Sequence, residues 1–194
     1  MKSKILLKWL SCIGGAVVLA FSIIVISVPT ETVVGSTQNI ASAEQAGSGL
    51  PARLTIPKIN VDAAVEQVGL APDGAMDVPK GPDDVAWFNL GKRPGDVGSA
   101  VMAGHFGWKN GIPAVFDNLN KLQKGDNIYV EDEKGVVTTF IVREIRTYDQ
   151  NADAGSVFSS SDGKVHLNLV TCEGVWDKIQ KSYSNRLVVF ADKE

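Results

Sequence analysis

From residue 51 onward, clusters of Gly, Pro, Asp and Asn break the sequence into short apolar runs. That punctuation constrains the fold more than any other feature. Short runs with irregular alternation suit β-strands, and the breakers between them suit tight turns. The pattern predicts strands over 53–56, 63–68, 99–103, 127–131, 136–145, 164–171 and 187–191, with a glycine-closed hairpin turn at Asp132-Glu133-Lys134-Gly135. Two stretches differ. The run 114–122 (AVFDNLNKL) has apolar residues at helical spacing and reads as a short helix, and 153–158 reads as a single helical turn. Several strands with few helices imply an all-β domain closed, or nearly closed, into a barrel, which removes exposed edges.

The first fifty residues have another character. Trp9 to Val28 form an uncharged run of 20 residues, and a helix of that length spans about 30 Å, the thickness of a hydrocarbon core. The run is longer than the apolar stretch of a cleaved signal, and the nearest Ala-x-Ala candidate, Ala41-Ser42-Ala43, lies well past it. An uncleaved signal anchor is therefore expected, with cleavage as the minor alternative. Lipidation of Cys12 is not expected, because the bulky Trp9 precedes it. Lys2, Lys4 and Lys8 place the N-terminus in the cytoplasm and the rest outside. The expected organisation is a cytoplasmic tip at 1–8, a transmembrane anchor at 9–28, a Ser/Thr/Ala/Gly-rich linker at 29–50 and a folded domain at 51–194. Beyond residue 28 stand 16 basic and 22 acidic residues, a net of −6. Nucleic acid is thus not an expected partner, since phosphate binding needs a basic footprint.

Extracytoplasmic placement gives the cysteines their meaning. Cys12 lies in the expected span and Cys172 in the domain, so the two are not expected to pair. A lone cysteine in an oxidising compartment is buried and inert, paired between molecules, or reactive. Position alone does not decide among these. A reactive thiol needs a proton carrier and a positive group or N–H donors where an oxyanion develops. The domain holds two histidines, His105 and His166. Strand alternation puts His166, Asn168, Val170 and Cys172 on one face, with Leu167, Leu169 and Thr171 on the other. Six residues along a strand is about 20 Å, too far for His166 to serve Cys172. His166 is expected to be a partly exposed strand residue, and the role falls to His105, where an apolar run enters a Gly-rich loop. For the cation, Arg186 opens the last apolar run. Arg143 and Arg146 lie at odd separation in one strand and are expected to point to opposite faces. Spacing prefers Arg186 only slightly.

Ala103-Gly104-His105, Val115-Phe116, Asn118-Leu119-Asn120-Lys121-Leu122, Gly125-Asp126, Leu169-Val170-Thr171-Cys172 and Asn185-Arg186, in that order, resemble a sortase over residues 51–194. The single domain and the Thr-Cys-Glu-Gly sequence most resemble class F, with classes D and E as alternatives. One departure is Leu-Asn-Leu-Val-Thr-Cys in place of the commoner Thr-Leu-x-Thr-Cys, which bears on subclass more than on chemistry. The resemblance implies an eight-stranded barrel and a two-step transpeptidation. Cys172 would attack the Thr carbonyl of a Leu-Pro-x-Thr-Gly-like signal near the C-terminus of a surface protein. His105 would protonate the departing amine, and Arg186 would face the substrate or oxyanion. An amine acceptor, such as a cell-wall precursor or a pilin, would complete the ligation.

Thr171 is either a substrate contact or a strand-end residue. Trp87, Trp108 and Trp176 are expected in packing, but Trp108 and Trp176 flank the two catalytic segments and are candidates to line a substrate groove. Glu131, Asp132 and Glu133 read as solvated turn charges rather than a calcium loop, and no metal or cofactor is expected. Two other readings stay open. One is a cysteine endopeptidase or peptidoglycan L,D-transpeptidase, although the Ser-x-Gly-Cys-type motif is missing. The other is an inactive anchored binding module with a buried Cys172.

Overall fold

The computed structural model describes residues 48–194. The expected tip, anchor and most of the linker lie outside the described residues. Among the described residues, no helix is long and apolar enough to cross a membrane.

The strands are β1 (Pro51–Ile56), β2 (Val61–Val68), β3 (Val85–Phe88), β4 (Gly98–Ala103), β5 (Asn127–Asp132), β6 (Val137–Asp149), β7 (Val165–Asp177) and β8 (Ser182–Lys193). They close into a barrel in the order β1-β2-β3-β4-β7-β8-β6-β5, with β5 returning to β1. The β2–β3 and β4–β7 pairs are parallel and the others antiparallel. Parallel neighbours need long crossovers; here these are the 69–84 segment and the whole stretch from β4 through β6 to β7. The seven strands expected from the sequence all form. β3 is an eighth that its short run, between two Asp residues and an Asn-Leu-Gly turn, did not announce.

Two apolar layers sit on either side of the wall formed by β4, β7 and β8. Leu54, Ile56, Met102, Phe140, Leu167, Leu169 and Val189 fill the barrel interior. Val101, Ala103, Val170, Val188 and Phe190 face outward under the single turn α1 (Gly155–Phe158), whose Val157 joins them. A strand buried on both faces reads as a continuous apolar run, which is why β7 and β8 show so little alternation. α1 matches the expected turn at 153–158.

The expected helix at 114–122 does not form. Ala114, Phe116, Leu119 and Leu122 are buried at the predicted spacing, but the backbone donors go elsewhere. Val115 N–H donates to the Pro82 carbonyl and Phe116 N–H to that of His105, while the Asp117 carboxylate accepts from Gly107 and Ala114. Tight turns and a short 3-10 segment, Leu119–Lys121, result. Arg143 and Arg146 are a second correction: a register shift between Val142 and Glu144 lets both guanidinium groups lie over the Phe190 ring, at 5.8 and 5.7 Å. A bulge resets the facing of the strand residues beyond it. The Asp132–Gly135 turn forms as expected, with Gly135 at φ 79°. Asp132 accepts from the Lys134, Val136 and Gly49 amides, and these bonds, that from Val136 foremost, hold its carboxyl below the usual range.

Candidate active site

Neighbouring strands set Cys172 beside Arg186, and His105 follows the end of β4, the strand on the other side of β7. Cys172 lies directly opposite Arg186 in the antiparallel β7–β8 ladder. Directly opposed residues share a face, with Cβ atoms about 4.5–5.5 Å apart. On the other side, the parallel β4–β7 register pairs Ala103 with Val170, and Gly104 N–H donates to the Val170 carbonyl at 3.1 Å. His105 lies in the loop that follows β4, one residue beyond this bond. Alternation puts Cys172 outward with Val170, and Arg186 outward with Val188 and Phe190.

Cys172 is half-buried and in no disulfide. Contrary to expectation it does not end its strand. β7 continues to Asp177 through an irregularity between Glu173 and Trp176, where Gly174 takes φ 90°. The bulge turns the ladder just past the thiol, a common device beside reactive groups.

His105 is held from several sides. Its Nε2 lies 2.8 Å from the Pro79 carbonyl; a carbonyl only accepts, so Nε2 carries the proton and Nδ1 is the accepting nitrogen. Burial pulls the ring below its ordinary pKa, and the Pro79 bond opposes this only in part. Neutral imidazole therefore dominates at neutral pH, and acidification through the ordinary histidine range, about 6.5, lowers stability because the unfolded ring binds the proton first. The Trp108 ring packs against His105 at 4.7 Å between centroids. Behind it, Thr171 is buried and turned inward, its hydroxyl donating to the Gly104 carbonyl at 2.8 Å.

Gly104 admits no side chain. A Cβ there would meet Phe116 Cδ2 at 2.5 Å and Val115 Cγ1 at 2.7 Å, and Phe116 is fully buried. Gly104→Ala is expected to cost about 1–3 kcal/mol by overpacking, lowering Tm by several degrees and displacing His105. Thermal unfolding and peptide turnover measured together check this; an unchanged Tm would refute it.

Arg186 is only 2% exposed, not the solvated strand-end residue that arginine most often is. Its Nη1 donates to the Tyr183 and Asn185 carbonyls, both at 2.9 Å, and its Nη2 to Ser182 Oγ at 3.2 Å. These bonds fix the plane of the guanidinium. The rings around the site form a rim: Phe106 meets Tyr183 edge-on at 5.5 Å, and Trp176 meets Tyr183 at 5.1 Å. Tyr183 and Phe106 carried no signal in the sequence beyond their proximity to Arg186 and His105. Trp87 is core, 2% exposed, with its indole donating to the Lys92 carbonyl.

His166 is the second histidine and is not brought to the site. It is 3% exposed rather than partly exposed, because Asp192 lies 2.7 Å from Nδ1 and Asp162 3.0 Å from Nε2. The His166 contact, together with the Lys164 amide and the Ser160 hydroxyl, holds the Asp162 carboxyl far below its usual range. Among the described residues no group of His, Cys, Asp and Glu is arranged to hold a metal ion.

An eight-stranded closed barrel with a thiol opposite a buried guanidinium, and an imidazole in the loop after the neighbouring strand, suits cysteine-dependent acyl transfer. A family model described as the Sortase domain matches residues 54–194, and the chain belongs to the sortase family. It is a sortase-type transpeptidase. Sortase C-1 of Actinomyces oris aligns with a TM-score of 0.56 at 23% identity, over 73% of this chain and 72% of that one. A sortase D5 transpeptidase of Clostridium perfringens gives 0.55 at 23%, over 75% and 79%. A lid mutant of sortase A from Corynebacterium diphtheriae gives 0.58 at 20%, over 78% and 74%. Such identities speak to the fold. No curated protein sequence matches the chain.

Proposed function

We propose that this sortase cleaves a Leu-Pro-x-Thr-Gly-like signal and ligates the released carboxyl end to an amine, with Cys172, His105 and Arg186 as the catalytic residues. The observation that supports the assignment is the pairing of Cys172 with Arg186 across β7 and β8, with His105 following the end of β4, the strand beside β7. The Cys172 thiolate attacks the Thr carbonyl, and the carbonyl π electrons move to its oxygen. Arg186, fixed by three donated bonds, faces the resulting oxyanion. When the tetrahedral species collapses, the C–N bond breaks and imidazolium His105 gives its proton to the departing Gly amine, leaving a thioacyl enzyme. An incoming amine then loses a proton to His105 as it attacks the thioester, and thiolate departs. Because burial favours neutral His105, the imidazolium–thiolate pair is the minor form of the resting enzyme, and proton transfer between the two groups generates it.

Trp108, beside His105, and Trp176, on the Tyr183 rim, flank the site and are assigned to the apolar part of the signal. Thr171, facing inward, is assigned to positioning Gly104 and so His105. We further assign the enzyme to class F on its Thr-Cys-Glu-Gly sequence. The 20-residue apolar run anchors it in the cell membrane with the barrel outside, where surface proteins and an amine acceptor such as a cell-wall precursor or pilin are met.

The test is incubation of the full chain, in detergent, with a Leu-Pro-x-Thr-Gly peptide library and amine nucleophiles, read by mass spectrometry. Cleavage between Thr and Gly, with an acyl adduct on Cys172, is expected. Absence of Cys172-dependent cleavage or ligation across the library would overturn the proposal.

A further inference from the structure

His105 stands in the loop that leaves β4, and the backbone on its two sides is held differently. On the near side β7 grips Gly104: the Gly104 amide donates to the Val170 carbonyl, and the Gly104 carbonyl accepts from Thr171. On the far side the chain leaves the sheet. There the Phe116 amide donates to the His105 carbonyl at 3.1 Å, and the next tie comes from a side chain. Asp117 Oδ1 accepts from the Gly107 amide at 2.6 Å, and its Oδ2 accepts from the Ala114 amide at 3.1 Å.

These two bonds differ in kind. The one to Ala114, three residues back, closes a local turn. The one to Gly107 reaches ten residues back and joins that turn to the loop carrying His105. A hydrogen bond to an ionised acceptor is about twice as strong as a neutral one. Gly107 is an exposed position at φ 65°, in the left-handed region where glycine moves most freely, so a fixed amide there has a local effect.

That effect falls on the site. Gly107 separates two aromatic residues. Phe106, before it, meets Tyr183 edge-on at 5.5 Å, and Trp108, after it, packs on the His105 ring at 4.7 Å between centroids. Pinning the amide between them places both rings.

We infer that Asp117 is a positioning residue for the transpeptidation, holding Trp108 against His105 through the Gly107 amide. The inference rests on His105 as the proton carrier proposed above. Both bonds of the Asp117 carboxylate go to backbone amides, so it acts through the loop.

The consequence reaches the proton. Burial keeps the His105 ring below its ordinary pKa, and the Trp108 ring is part of that cover. A loosened loop lets water reach the imidazole, which favours imidazolium and moves its titration upward. The charged and titratable groups on the elements around it are Glu66 of β2, Cys172 of β7, Tyr183 and Arg186 of β8, and Lys109 over the Trp108 ring. All stay in place in the variants below.

Asp117→Ala, which removes both bonds, and Asp117→Asn, which keeps one acceptor oxygen, are compared with wild type as full chains in detergent, well below the Tm of each. Asp117→Ala is expected to lower kcat for peptide cleavage by about 10²-fold, the scale on which a misplaced catalytic group acts, with KM within about threefold of wild type. Asp117→Asn is expected to fall between. NMR titration with 13C-labelled histidine is expected to show the His105 ring titrating at higher pH in Asp117→Ala, while the signal of His166, which lies between Asp162 and Asp192, follows its wild-type course. A merely structural aspartate would lower Tm without moving the His105 titration. Unchanged kcat in Asp117→Ala overturns the inference, and so does a lower kcat with an unmoved His105 ring. If Asp117→Ala does not fold, Asp117→Asn decides, and wild-type values of both readouts in it overturn the inference. A wild-type chain that cleaves no peptide sinks the function proposed above, and the ring titration then decides this inference by itself.

Discussion

Cys172→Ala is expected to reduce peptide cleavage and ligation by at least about 10³-fold, the scale on which loss of a covalent nucleophile acts, and to abolish the acyl adduct. Stability is expected to change little. The side chain is half-buried on the outer face, alanine keeps the Cβ, and the β7–β8 ladder bonds on either side are backbone bonds. Intact-mass spectrometry after exposure to peptide, together with thermal unfolding, separates the two effects. Retention of more than a tenth of wild-type cleavage at unchanged Tm would remove Cys172 from the mechanism.

Arg186→Lys is expected to lower kcat/KM by about 10²–10³-fold, the range seen when an oxyanion donor is lost. A lysine keeps the charge but not the planar fork. In Arg186 one nitrogen serves two carbonyls, of Tyr183 and Asn185, while another reaches Ser182; a single ammonium on a flexible stem cannot do this and still face the thiol. Loss of these bonds to a charged donor also destabilises the hairpin, by about 1.5–3 kcal/mol. Activity is therefore compared well below the Tm of the variant. A fall in kcat with KM little changed marks action on the transition state; a normal rate in a merely destabilised protein would make Arg186 structural. Ser182→Ala removes only one of the contacts and is expected to be milder on both counts.

Much of this architecture was legible in the residue pattern. Turn residues and short apolar runs foretold a β barrel, the alternation in β7 placed Cys172 and Thr171 on opposite faces, and distance along the strand removed His166 from the site. The failures share a cause: they depended on partners distant in sequence. The 114–122 run looked helical because its buried residues keep helical spacing, yet its amides are taken by Pro82 and His105. His166 looked half-exposed because Asp192, 26 residues on, was not in view. Arg143 and Arg146 share the Phe190 face because a bulge reset the alternation.

Local chemistry in the chain determined which residue types were available: one domain thiol, two imidazoles and a few late arginines, with breakers that chop the backbone into strands. Periodicity of two along a strand settled facing wherever no bulge intervened. Only the tertiary structure decided that Arg186 lies across from Cys172 and that β4, which leads into His105, runs beside β7. Pairing between strands 67 residues apart, as joined by Thr171 and Gly104, rests on barrel closure and core packing. Those are properties of the assembled sheet, and no window of sequence contains them.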